Sequence, residues 1–316
     1  MSDNNIDFIE HLSSLYEVPK RSRTYAQKPD AKKKPVVQAQ RYDVDRFDVG
    51  IFDELIYNNE KINGLKVTIG TMLWKRHDVF RAWARGIQRL VKNFPTVTIN
   101  TVVAGSEGRV SKSLVESYGF EYFECPNAPL GEKANHRLLT CEKYKPDYVL
   151  LLGSDDIVSD KYFWHILDKM SEGFDEIAPL DLYLYDIESR YSTYSNGYQD
   201  NAPPEGHKKG DPLAPGRALS KKLLDKAEWK LWSPTARRGL DGWSRDKIRK
   251  YKESHYYFSC REDGLVVCDI KSDFSLSKPI IRYNHEIVKD EYLFQEIPEI
   301  KWLIDLKDGK INYTDP

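Results

Sequence analysis

Two adjacent carboxylates close an apolar run at residues 149–156 (VLLLGSDD). Residues 148–152 have the length and composition of a buried strand, so Asp155 and Asp156 leave its carboxyl end side by side. Acids held that close repel each other unless a cation or a basic group joins them. A hard divalent ion with oxygen ligands is one such partner, and it would also neutralise charge on a departing diphosphate. The competing reading is a helix start near Ser159 or Asp160 with one of the acids as its cap. On this fragment alone both readings stand.

The elements around the pair follow from periodicity. Residues 65–70 (LKVTIG) read as a buried strand. A helix follows, with Val79, Trp83, Ile87, Leu90 and Val91 at helical spacing and Asp78 as a candidate cap. Residues 96–104 (TVTINTVVA) form a second, β-branched strand. Residues 110–118 give a second helix closed by Gly119, 120–125 a third strand, 131–144 a third helix and 148–152 the fourth strand. This alternation calls for an α/β fold with a mainly parallel sheet and crossover helices. Ligands in such sheets sit at the carboxyl ends of the strands. Further on, 177–185 reads as a strand, 192–215 as a long loop rich in Gly, Pro, Asn and Ser, and 215–220 (PGRALS) as the lead into a helix. Residues 242–251 read as a helix, 265–270 (LVVCDI) as a strand and 292–311 as a packing segment.

Residues 129–136 (PLGEKANH), then the third helix, then 145–148 (KPDY) and the acidic strand, together resemble the family-2-type glycosyltransferases of GT-A fold. Members carry a Gly, a basic or polar group and an Asn at the opening of the helix before an Asp-X-Asp strand. Gly131, Lys133 and Asn135 fill those places here. The resemblance covers roughly residues 65–165, and 210–285 more loosely. It departs in three places. Ser154 replaces the first acid of the triplet, 70–74 (GTMLW) replaces a Pro and an aromatic, and 105–108 (GSEG) replaces an acid that reads the nucleotide.

The resemblance implies a Rossmann-like GT-A catalytic domain over 61–316, with a nucleotide-sugar half (61–160) and an acceptor half (161–316). It implies a nucleotide-sugar donor, UDP-sugar favoured, a Mn2+ or Mg2+ cofactor and an inverting transfer. Asp156 is the expected direct metal ligand, with His285 in 282–286 (RYNHE) as a further one; an ordinary histidine is the alternative. Asp155 would contact ribose, or the ion through water. Thr71 and Leu73, in the loop after the first strand (Thr71 to Arg76), would border base and ribose, with Glu107 and Asn135 also on the donor. Lys133 and Lys271 would face the diphosphate and Arg217 would also bind the donor, although Lys133 alone reads equally as a solvated helix-start lysine. Asp241, in 237–243 (RRGLDGW), is the candidate catalytic base, because direct displacement needs a carboxylate within reach of the acceptor hydroxyl. Capping the helix 242–251 is its competing role.

Composition narrows the partners less sharply. The chain has 316 residues with 48 basic and 49 acidic side chains, room for one large α/β domain with appendages. Cys125, Cys141, Cys260 and Cys268 form no C-x-x-C pair, so reduced thiols of a cytoplasmic enzyme are expected rather than zinc knuckles or disulfides. The first residues do not read as a signal peptide, and no apolar run is long enough to span a bilayer.

Charge is segregated. Residues 17–41 carry eight basic against two acidic side chains, and 217–250 carry eleven against four, with Trp229, Trp232 and Trp243 interleaved. The first stretch, with a short helix before it, reads as an N-terminal arm (1–60) or a solvated tail. The second would draw a polyanion and stack on a base or sugar. Double-stranded DNA bearing a hydroxymethylated pyrimidine, as in bacteriophage DNA modification, is thus the leading acceptor. It would require base flipping. A solvated charged face beside a carbohydrate site is the alternative. Two further function classes stay open: a cytosolic transferase acting on glycan or protein, and a non-catalytic nucleotide or nucleic-acid binder.

Overall fold

The computed structural model describes residues 60–199, 207–273, 275 and 286–311. The expected N-terminal helix and basic arm, residues 1–59, and the candidate ligand His285 lie outside the described residues. After a single 3-10 turn (Glu60–Ile62) come β1 (Lys66–Met72), α1 (His77–Asn93), β2 (Thr98–Gly105), α2 (Arg109–Ser117) and β3 (Glu121–Glu124). Then follow α3 (Leu130–Glu142), β4 (Tyr148–Leu151), β5 (Asp156–Val158), α4 (Asp160–Ser171), β6 (Glu176–Pro179), β7 (Leu182–Asp186) and β8 (Tyr191–Ser195). The rest comprises β9 (Arg217–Ser220), α5 (Lys221–Lys226), α6 (Leu240–Tyr251), β10 (His255–Phe258), β11 (Val267–Lys271), β12 (Glu286–Val288), α7 (Asp290–Glu296) and α8 (Pro298–Lys307).

The expected α/β architecture is present. A seven-stranded sheet runs in the order β10-β6-β9-β4-β1-β2-β3. Only β9 is antiparallel to its neighbours β4 and β6; the β1–β2, β1–β4, β2–β3 and β6–β10 pairs are parallel. Side chains of a strand alternate between faces, and β4 divides accordingly. Leu150 joins the core that holds Trp83, Phe94 and Phe163, while Val149 and Leu151 join the core that holds Leu138, Trp229 and Trp232. Helices therefore cover both faces: α1 and α4 on the first, α3, α5 and α6 on the second. A five-stranded sheet, β12-β8-β7-β11-β5, adjoins it in sequence at β5. Among the described residues no helix is long and apolar enough to cross a membrane.

Several local readings need correction. Asp78 lies in the first turn of α1, and Arg76 occupies the cap position without a side-chain cap bond. Residues 177–185 are two strands in different sheets. The break falls at residues 180–181, where Asp181, a buried acid, accepts from Ser259 Oγ at 2.5 Å and from Arg261 N at 3.3 Å. The stretch 192–215 opens with most of β8, where Tyr194 packs against Tyr183 on β7. Its serines conceal a period-2 pattern. Residues 217–220 form β9, the one reversed strand at the centre of the larger sheet.

Candidate active site

The parallel strands bring the acids to the expected edge, and a small ribbon completes them. β4 ends at Leu151, and the chain turns and re-enters a strand at Asp156. There β5 pairs antiparallel with β11, with Asp156 opposite Asp269, and Ile270 N donates to the Asp155 carbonyl at 2.8 Å. One carboxylate oxygen from each of Asp155, Asp156 and Asp269 lies within 4.8 Å of the others. Gly153 lets the turn close, since a Cβ there would sit 2.6 Å from Asp155 Oδ1 and 2.8 Å from Asp156 Oδ2. Ser159 caps α4 by accepting from Tyr162 N at 3.2 Å, so neither acid is needed as a cap.

The electrostatics of this triad are unresolved within the chain. Arg76 ion-pairs with Asp155 and also donates to Ser154 Oγ at 3.2 Å. Lys271 pairs with Asp269, and Gly153 N donates to Asp156 Oδ2 at 2.5 Å. Burial, then the neighbouring Asp269 charge, raises the Asp155 and Asp156 carboxyls above the ordinary range despite those cations. Asp269 Oδ1 is buried with no hydrogen-bond partner. Three converging carboxylates, one with an orphaned oxygen, have the donor chemistry for a hard divalent cation.

A cleft of about 540 Å3 opens over the triad. Leu73, Trp74, Arg76, Asn127 and Lys133 line it, as do Asp155, Asp156, Asp269 and Lys271, and so do Trp232, Leu240, Asp241 and Ser244. Asp241 lies in the first turn of α6, which Gly239 rather than Asp241 caps in position. Among the described residues no hydrogen bond to the Asp241 carboxylate is present, so it stands available at the cleft. Leu73 and Arg217 also line the space. Arg217, 1% exposed, pairs with Glu176 at 3.5 Å and donates to the carbonyls of Pro212 and Leu213.

Other expected donor contacts are placed differently. Lys133 is buried, and its ammonium donates to the Leu73 carbonyl (3.0 Å), Ser106 Oγ (2.6 Å) and Asn127 Oδ1 (3.1 Å). All three hydrogens are used, so it ties together the loops after β1, β2 and β3, while burial lowers its pKa. Asn135 is a clamp away from the cleft lining. Its Oδ1 accepts from Leu231 N and Trp232 N, and its Nδ2 donates to the Trp232 carbonyl at 2.8 Å. Glu107 accepts from Lys75 N (2.8 Å), His77 Nε2 (3.0 Å) and Ser111 Oγ (2.9 Å), bracing the loop after β1 outside the cleft. Thr71 is buried in β1 with its hydroxyl unpartnered and lines no part of the cleft.

Neither Asp269 nor Arg137 is among the site residues expected from sequence. Asp269 carried a signal, an acid inside the otherwise apolar run 265–270, where an unpaired charge is costly. Arg137 carried another. With Lys133 it falls on the stripe of α3 that includes Ala134, Leu138 and Cys141, the positions a helix buries. Arg76 ends the loop expected to border base and ribose, but its pairing with Asp155 depends on where that loop folds.

No family model matches the chain, and no curated protein matches it. Among solved structures it is similar to the 1–349 portion of S. aureus TarS in complex with UDP, at 12% identity over 79% of this chain and 68% of that one, with a TM-score of 0.48. It is also similar to S. aureus TarS itself, at 12% identity over 80% of this chain and 41% of that one, TM-score 0.45. A third is the inositol-1-phosphate CTP transferase of T. maritima, at 11% identity over 76% and 97%, TM-score 0.46.

Proposed function

We propose that this chain is a metal-dependent glycosyltransferase of GT-A, family-2 type that takes a nucleotide-diphosphate sugar, UDP-sugar favoured. One observation carries the reading. The acid triad and the unbonded Asp241 carboxylate line one cleft at the carboxyl edge of the parallel strands. Asp156, Asp155 and Asp269 would hold Mn2+ or Mg2+, which supplies Lewis acidity toward the diphosphate oxygens. Leu73, Trp74 and Asn127 form the wall against which base and ribose lie. Lys133 fixes that wall, Glu107 braces it and Asn135 fixes the opposite one at Trp232. Lys271 and Arg76 become available to phosphate oxygens as the triad is neutralised.

Asp241 takes the acceptor hydroxyl proton as that oxygen bonds to the anomeric carbon. The bond from that carbon to the diphosphate breaks, and the diphosphate leaves with the electron pair. Attack opposite the leaving group inverts the anomeric centre.

Thermal melting of the full chain with UDP-, GDP- and dTDP-sugars, with and without Mn2+, tests this. A UDP-sugar is expected to raise the melting temperature only with metal, by several degrees at saturation. Asp156→Asn should abolish that shift. Asp241→Asn should keep it while lowering turnover by about 10²–10⁴-fold. Retained turnover in Asp241→Asn removes Asp241 as the base, whereas a binding shift without turnover in the native protein turns the reading to a non-catalytic nucleotide binder.

For the acceptor, duplex DNA with a flipped hydroxymethylated pyrimidine is the favoured class. Much of the positive charge of 217–250 is balanced internally. Lys221 pairs with Asp225, Lys222 and Lys226 with Glu253, and Arg245 and Arg249 with Asp211. Among the described residues Lys230, Arg237, Arg238, Lys247 and Lys250 pair with no carboxylate, and Trp243 beside them is 52% exposed. Replacing Arg237 and Arg238 by Ala should flatten the log affinity against log salt slope for duplex DNA by roughly 2. An unchanged slope leaves a glycan or protein acceptor.

A further inference from the structure

Arg137 is a buried charge without a counter-charge. It lies one turn beyond Lys133 on α3, is 5% exposed and lines the cleft. Its one hydrogen bond among the described residues is a long one, from Nη1 to the Gly70 carbonyl at 3.5 Å. Its Nε is buried with no partner. No carboxylate among the described residues forms an ion pair with it. Other buried or half-buried cations are served differently: Arg217 has Glu176, Arg89 has Glu299 and Lys271 has Asp269. Burial draws the Arg137 guanidinium down to about 10, so it stays charged at neutral pH. Cys141, one turn further on, is pushed up to about 12 by burial and remains a neutral thiol.

The fold makes room for this charge. At Gly70 on β1 a Cβ would lie 3.2 and 3.3 Å from Arg137 Cγ and Cδ. On the other side the guanidinium lies 5.3 Å from the Trp232 ring centroid. Trp232 Nε1 in turn donates to the Leu240 carbonyl at 3.0 Å, next to Asp241. The one carboxylate whose charge raises the Arg137 pKa against burial is Asp156. Arg137 therefore belongs to the stretch of cleft between the triad and Asp241. A desolvated guanidinium is strongly disfavoured unless an anion completes it, and its planar fork suits two oxygens of one group.

We infer that Arg137 anchors an oxyanion subsite in this cleft, completed by paired oxygens of the substrate. The placement of that ligand rests on the transferase reading, under which the transferred sugar lies between the triad and Asp241. Two sources share the chemistry: a carboxylate on the sugar, as in a uronic acid, and the diphosphate of the donor.

Isothermal titration of the full chain and of Arg137→Met, with Mn2+ and UDP-glucose, UDP-glucuronate or UDP, separates them. Melting in millimolar inorganic phosphate against chloride of equal ionic strength, without metal, runs alongside. If the anion is a sugar carboxylate, the native chain prefers UDP-glucuronate to UDP-glucose by about tenfold or more, and the variant loses the preference. If it is the diphosphate, the variant loses about tenfold or more toward UDP itself. In either case phosphate raises the melting temperature of the native chain and not of the variant. If the native chain binds no nucleotide, the transferase reading fails and the phosphate shift alone decides the subsite. Should Arg137→Met not fold, Arg137→Lys keeps the charge, loses the fork and should show the same losses. Equal phosphate shifts, with every affinity within about twofold of the native chain, overturn the subsite and leave Arg137 a structural cation.

Discussion

Glu176 and the Asp155–Asp156–Asp269 group are both built from carboxylates largely withdrawn from solvent, yet their charges are settled in opposite ways. Glu176, 1% exposed, has Arg217 at 3.5 Å, Lys252 at 2.8 Å and the Tyr257 hydroxyl at 2.5 Å. Burial alone would raise its carboxyl, but Arg217 and Lys252 outweigh burial and hold it below the ordinary range. The triad has Arg76 and Lys271 against three acids, and burial with Asp269 pushes Asp155 and Asp156 upward. One cluster is complete within the chain. The other keeps one acid more than its cations balance, a repulsion that a proton or an added cation would relieve. Burial of an acid is therefore no guide to function; what matters is whether its partners are inside the molecule.

The largest effect should come from breaking both clusters in turn. Glu176→Gln leaves Arg217 and Lys252 facing a neutral amide in the interior and should cost about 3–5 kcal/mol of stability. Asp156→Asn removes one of three repelling charges. In EDTA its melting temperature should rise by roughly 2–4 °C, as about 1 kcal/mol does in a domain of this size. Denaturant and thermal unfolding of the two variants beside the native chain measures this. Loss of stability in both would mean that the triad is another closed structural cluster.

The same contrast explains what was legible in the sequence. The strand–helix alternation from β1 to β4 could be read, because each apolar run has one dominant period and β4 is buried on both faces. Asp155 and Asp156 could be placed at its carboxyl end because adjacent acids after a buried strand must leave it there. Asp241 could be placed at a helix start but not on the cleft it shares with the triad, since β9 and the chain between 221 and 239 carry it there. Asp269 required the β5–β11 register, a pairing between residues more than a hundred positions apart. Lys133 and Asn135 were noticed for their types and spacing. Whether an ammonium meets a phosphate or three protein oxygens depends on where Leu73, Ser106 and Asn127 come to lie, and no local pattern encodes that. The split of residues 177–185 was hidden for a similar reason, as its two strands pair in different sheets.

A smaller effect, with opposite signs at the two clusters, should appear in the pH dependence of stability. Glu176 has a folded pKa below its unfolded value, ordinarily near 4.5. Its contribution is full above that value and is lost as pH falls through the folded pKa. Asp155 and Asp156 have folded pKa values above their ordinary 3.8. Between 3.8 and those raised values the folded chain holds more protons than the unfolded one, so stability falls as pH rises through that window. In EDTA the melting temperature should thus decline on both sides of a mildly acidic maximum. Glu176→Gln should flatten the acid side and Asp156→Asn the side toward neutrality. Mn2+ competes with protons for the triad, so its stabilisation should grow with pH over the same window. Melting curves across pH with EDTA and with Mn2+ measure all of these. A neutral-side decline that survives Asp156→Asn would mean that the triad is not the source of the repulsion, and the case for a cation there would lose its physical basis.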